Sequence, residues 1–182
     1  MIRFKIAREK ALNILQMFRI KVPPVDVEKI AALLGFKVIP FDFPETTSAV
    51  IRIEGSSKVI GVNKNHAPVR QRFSIAHELG HYLSGHENFT HEKKIVVDPD
   101  KRYLDPEHQQ EQEADEFAAE LLMPEFMLKD DANSKNLNII ELAKKFNVSE
   151  QAMTIQVVNL KIELEKSHEL DEAERQLRDP EI

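Results

Sequence analysis

Apolar positions recur along this chain in two rhythms, and the switches between them outline the fold. Residues 1–20 set Ile6, Leu12, Leu15 and Phe18 among charged side chains, which predicts an amphipathic helix stopped by Pro23-Pro24. Asp26 then stands as an N-cap for VEKIAALLG, with Gly35 as its stop. FKVIPFDF (36–43) reads as a strand cut by Pro40. SAVIRIEG (48–55) and KVIGVN (58–63), set around Gly55-Ser56-Ser57, read as a β-hairpin. From Pro68 the helical period returns through VRQRFSIAHELGHYLSG, where Phe73, Ala76, Gly80 and Leu83 share a face. Residues 88–108 read as a polar loop, and a further helix runs from about Pro106 to Leu122, ended by Met123-Pro124. Residues 137–162 read as two short helices, followed by a strongly acidic end.

Helices, then a small sheet, then a run of helices make an α+β layout rather than alternating parallel units. The expected organisation is a main α+β unit over 1–130, a helix-turn-helix-like segment over 131–165, and an acidic helical or disordered tail over 166–182. The expected sheet is short, antiparallel or mixed, and packed on helices.

Composition narrows the chemistry. At 182 residues, 42% hydrophobic and 31% charged, the chain fits a globular protein and not a disordered one. It has no cysteine, which removes disulfides, thiolate metal sites and cysteine nucleophiles. Any metal must be held by histidine and carboxylate. The net charge of -6 argues against electrostatic grip on nucleic acid by the chain as a whole. No apolar run approaches the roughly 18 residues of a membrane span, and MIRFKIAREKAL lacks a continuous apolar core for secretion. The cytoplasm is the expected location.

The chemistry concentrates in His77-Glu78-Leu79-Gly80-His81. On a helix, positions four apart lie one turn apart on one face, so two imidazoles can bind one Zn²⁺. Glu78 then flanks the metal as a general base. Gly80 is costly inside a helix and points to a close backbone approach. A catalytic site needs a third ligand and an open position. The metzincin spacing fails, because Ser84 and Glu87 stand where Gly and His would be required. A glutamate of the next helix, QQEQEADEFAAELL, is the other solution. Its apolar stripe (Ala114, Phe117, Ala118, Leu121, Leu122) extends back to Glu111, with Glu113 on the flank, so Glu111 is preferred and Glu113 is the alternative. Asp115 can orient a ligand imidazole. Glu116 and Glu120 read as a solvated acidic face. His86, Tyr103 and His108 are candidate donors to a developing oxyanion. KVIGVN, just ahead of the zinc helix, reads as a sheet edge to which an extended substrate could add. Two histidines and a carboxylate suit Zn²⁺ but also accept Mn²⁺, Co²⁺ or Fe²⁺.

Three blocks, PPVDVEKIAALLGFKVI (23–39), KVIGVNKNHAPVRQRFSIAHELGHYLSGH (58–86) and EQEADEFAAELLMP (111–124), resemble the ImmA/IrrE family of zinc metallopeptidases. Asp115 departs from the family's more usual Asn, and His86 lies one residue further beyond His81 than the resemblance leads one to expect. The resemblance implies a small zinc-peptidase fold, with His77 and His81 as ligands, Glu78 as catalyst and a glutamate near 111–113 as third ligand. It also implies a protein substrate, a helix-turn-helix repressor whose cleavage releases mobile-element or stress-response genes. The competing reading is a regulatory binding module, in which the metal is structural and a repressor is disabled by docking.

NLNIIELAKKFNVSEQAMTIQVVNLKI (136–162) has the look of a helix-turn-helix, with Asn147-Val148 as the turn and Ser149 as N-cap. Its second helix carries no Lys or Arg before Leu160 to grip phosphate. DNA binding is therefore not expected, and packing on the core or docking of a protein substrate is.

Overall fold

A computed structural model describes residues 2–86, 106–135 and 138–162. In chain order the elements are α1 (Ile2–Met17), α2 (Val27–Leu33), β1 (Phe36–Phe41), β2 (Ala49–Glu54), β3 (Ser57–Asn63), α3 (Pro68–Ser84), α4 (Pro106–Leu122), α5 (Glu125–Lys135), α6 (Ile139–Phe146) and α7 (Glu150–Asn159). The architecture is α+β, with a three-stranded mixed sheet. No helix among the described residues is long and apolar enough to cross a membrane.

The sheet order is β1-β3-β2. β3 runs parallel to β1, with Phe36 opposite Lys58, and antiparallel to β2, with Ile51 opposite Ile60. The hairpin turns at Gly55, whose φ of 58° favours a residue without a Cβ. Two expectations need correction here. Pro40 does not cut β1; it stays in register opposite Val62, because an edge strand has a side on which no N–H is needed. KVIGVN is not an edge. It is the central strand, and among the described residues the edges belong to β1 and β2.

α1 is a helix as its pattern predicts, and Leu15 is buried as expected, but the rest of the buried face differs in part. Ala7, Ala11, Ile14 and Leu15 are buried, whereas Ile6 and Leu12 are 44% and 36% exposed. α1 packs on α4, and alanines allow a close approach that larger side chains would prevent. Counting only large apolar residues misplaces such a face.

One buried cluster joins α1, α2, the sheet, α3 and α4 to α5, α6 and α7, through Met127, Leu128, Leu142, Phe146, Met153 and Val157. α5 has no counterpart in the hydrophobic pattern. Its N-terminus is capped from outside itself, by the Glu120 carboxylate, which accepts the Glu125 N–H at 3.2 Å. Glu120 is consequently 2% exposed, and its assignment to a solvated face is overturned. Its neighbour Glu116 is tied to Arg8 of α1. The acidic tail over 166–182 lies outside the described residues.

Candidate metal centre

α3 and α4 cross at Gly80. A Cβ there would stand 3.0 Å from the Ala114 Cα, 3.1 Å from the Ala114 carbonyl oxygen and 3.1 Å from the Phe117 ring. The missing side chain is what lets the two backbones touch, as the mid-helix glycine implied. That contact puts the turn bearing His77 and His81 directly against the turn bearing Glu111.

The three side chains converge. His77 Nε2 and His81 Nε2 are 2.9 Å apart. Glu111 approaches them with Oε2 at 3.5 Å from His77 Nε2 and Oε1 at 3.3 Å from His81 Nε2. Ligand atoms of the trio all lie within 4.8 Å of one another. Tetrahedral zinc with bonds of about 2.0–2.1 Å requires donor atoms about 3.3 Å apart. The donor set and its spacing therefore fit a divalent cation without rearrangement of the helices.

Each histidine has a second contact on the side away from that cluster. His77 donates from Nδ1 to Asp115 Oδ1 at 2.8 Å. His81, fully buried, has its Nδ1 2.8 Å from Nδ1 of His86. His86 in turn has Nε2 3.3 Å from Glu113 Oε2. Asp115 thus stands beside the His77 ring. Glu113 does not join the trio. It faces His86.

Local structure explains where His86 goes. α3 ends at Gly85 with φ 71°, and the amides of Gly85 and His86 donate back to the carbonyls of Tyr82 and His81. This is a Schellman turn. It folds the next side chain onto the final helical turn, so a residue five beyond His81 lands behind its ring. In this structure the His86 ring meets His81 on one side and Glu113 on the other. His108 lies on α4 one turn before Glu111 and is hydrogen-bonded to Gln112 at 3.1 Å. Tyr103 is outside the described residues.

Glu78 is 4% exposed and meets the backbone of Ile51 on the outer strand β2. Its Oε2 is buried with no hydrogen-bond partner among the described residues. Burial lifts its carboxyl to about 7, against the pull of His77. Burial opposes charge on His77, but the hydrogen bonds to Asp115 and Glu111 outweigh it and raise that ring to about 10. A proton and a metal ion compete for the same nitrogen there. Burial keeps His86 below the ordinary histidine value despite Glu113. The link from His81 through His86 to Glu113 and the Glu78–Ile51 contact are the features that sequence reasoning missed. Gly85 as a helix stop was the one available signal for the first.

The second helix pair is docked on this core. Arg72 of α3 donates to the carbonyls of Val25 and Asn147 at 2.7 and 3.1 Å. Gln156 of α7 donates to Met123 O at 3.1 Å, and Lys145 pairs with Asp131. The outward face of α7 presents Gln151, Thr154, Ile155, Val158 and Asn159, without a cation.

The Peptidase_M78 family, described as an IrrE N-terminal-like domain, matches residues 31–157. Among solved structures, a Mycobacterium tuberculosis transcriptional regulator superposes with a TM-score of 0.56 at 17% identity, over 82% of this chain and 46% of that one. The chain thus spans less than half of that regulator, and the likeness speaks for the fold. No curated protein sequence matches the chain.

Proposed function

The chain belongs to the Peptidase_M78 family, and from that membership we propose that it is a zinc-dependent endopeptidase whose substrate is a helix-turn-helix repressor. The observation that carries the enzymatic reading is Glu78. It is buried beside the His77–His81–Glu111 cluster, has an oxygen with no hydrogen-bond partner among the described residues, and has a carboxyl lifted to about 7. A metal that only stiffens the fold has no use for such a group, and burying it lowers stability. The docking-only reading leaves it without a role.

His77, His81 and Glu111 would hold the metal, with Zn²⁺ favoured and other divalent ions chemically admissible. When bound, the ion supplies Lewis acidity that acidifies water and polarises a peptide carbonyl. Glu78 accepts a proton on Oε2 as water attacks, and later hands it to the leaving amine. Asp115 holds His77 by its Nδ1–H, so that Nε2 keeps its lone pair for the cluster. An extended substrate would add to β2, an edge strand among the described residues that meets Glu78 through Ile51, rather than to the enclosed β3.

Support for a repressor substrate comes from the family resemblance. The structural relative is itself a transcriptional regulator. The outer face of α7 is polar and apolar without cations, which suits a protein partner better than phosphate. The test is incubation of the zinc-loaded protein with the helix-turn-helix repressor encoded beside its gene. The wild type should cut that protein, and Glu78→Gln should keep the metal and slow cleavage by about 10²–10⁴-fold. Undiminished cleavage by Glu78→Gln refutes the mechanism.

A further inference from the structure

We infer that His86 and Glu113 are positioning residues that fix His81 in the one tautomer able to bind metal. The inference rests on the metal-centre reading above and adds two residues to it.

A neutral imidazole has one N–H and one lone pair. For His81 to offer its Nε2 lone pair toward His77 and Glu111, its proton must sit on Nδ1. That nitrogen is 2.8 Å from His86 Nδ1, which must then accept. The proton of His86 is therefore on Nε2, 3.3 Å from Glu113 Oε2. An ionised carboxylate can only accept, so Glu113 demands the same arrangement from the other end. The opposite order would put an N–H of His86 against His81 Nδ1 and move the His81 proton to Nε2. It would then point into the space between His77 and Glu111 and close the site to a cation.

The arrangement is built into the fold. The side chains of His81, His86 and Glu113 are 0%, 7% and 14% exposed, so water competes little for these hydrogen bonds. The Schellman turn at Gly85 sets the His86 backbone. α4 supplies both the ligand Glu111 and, two residues on, Glu113. Asp115 does for His77 directly what Glu113 does for His81 through an intervening ring. Negative charge at the far end also makes His81 a more basic ligand.

The test reads zinc affinity and histidine tautomers, neither of which needs a substrate. Zinc is titrated into the full chain against a chromophoric chelator, and ring tautomers are read from long-range ¹H–¹⁵N correlations. His86→Leu should weaken Zn²⁺ binding by about 10–100-fold with an unchanged circular dichroism spectrum. His86→Asn, whose amide oxygen can accept from His81 Nδ1, should restore most of that loss. In the wild type the His86 proton should be on Nε2, and Glu113→Ala should mix the two His86 tautomers. Wild-type affinity in His86→Leu, or a wild-type His86 protonated on Nδ1, overturns the inference alone. The tautomer measurement stands even if His86→Leu does not fold. Failure of the wild type to bind zinc at all overturns the metal centre and this inference together.

Discussion

The α3–α4 pair and the α6–α7 pair use polar residues in opposite ways. In α6–α7 they finish the helix ends. Asn138 and Glu141 form a reciprocal capping box, Asn147 takes the left-handed position after α6, and Ser149 accepts the Ala152 N–H at 3.1 Å. The apolar faces between these ends are buried. In α3–α4 the polar residues sit mid-helix, at the crossing itself. His81 and Glu78 are buried there, and Glu78 keeps an oxygen without a hydrogen-bond partner among the described residues. The first pair uses polar residues to satisfy backbone groups at helix ends. The second buries them at the crossing, at a cost in stability.

Gly80→Ala should break that contrast most severely. Helix propensity by itself would favour alanine by about 1 kcal/mol. The new Cβ, however, meets Ala114 backbone atoms at 3.0 and 3.1 Å, and backbone cannot step aside as a side-chain tip can. We expect a net loss of about 1–3 kcal/mol in thermal unfolding. Zinc affinity should fall with it, because α4 must move away carrying Glu111. A higher Tm with unchanged zinc affinity would mean that the crossing is loose and the contrast unfounded.

Glu120→Gln sharpens the comparison within α4. Burial lifts the Glu120 carboxyl to about 7, from a model-peptide value of 4.5. The folded chain thus holds a proton that the unfolded chain releases at lower pH, and stability contributed by protonated Glu120 is lost as pH rises from about 4.5 through about 7. The variant should leave stability at pH 4 nearly unchanged and raise it at pH 8 by about 1–3 kcal/mol. Its amide oxygen can still accept the Glu125 N–H. Denaturant unfolding at the two pH values checks this, and an equal effect at both would remove the charge-burial account.

Ser149→Ala should have the smallest effect. Removing the N-cap of α7 should cost about 1 kcal/mol in unfolding free energy and leave zinc affinity unaltered. A matching drop in metal binding would show the two pairs to be coupled rather than separate in role.

The same contrast explains what could be read in advance. Asp26, Asn147 and Ser149 act on their own neighbours within a few residues, so the ends of α2, α6 and α7 were legible in the chain. The i, i+4 spacing of His77 and His81 is likewise local, and the apolar stripe of α4 pointed to Glu111 before Glu113. What was not legible depends on contacts that leave the element in which a residue sits. Glu120 reads as one more acid until Glu125 needs a cap and α1 covers it. β3 reads as an edge until β1 pairs with its other side. His86 reads as a surface or substrate-facing histidine until the Gly85 turn folds it behind His81. In each case the deciding contact crosses between elements, where periodicity carries no information.

Glu111, Glu113 and Asp115 stand at intervals of two on a single helix: Glu111 meets Nε2 of His77 and His81, Glu113 meets His86, and Asp115 meets the other nitrogen of His77. Adding or deleting one residue in this stretch would rotate everything beyond it by about 100° and detach partners that no point change could reach together. Length variation among sequences that keep this site should therefore be confined to the stretches flanking residues 111–115. The spacing of those three acids is then a more stringent signature than the identity of any one of them.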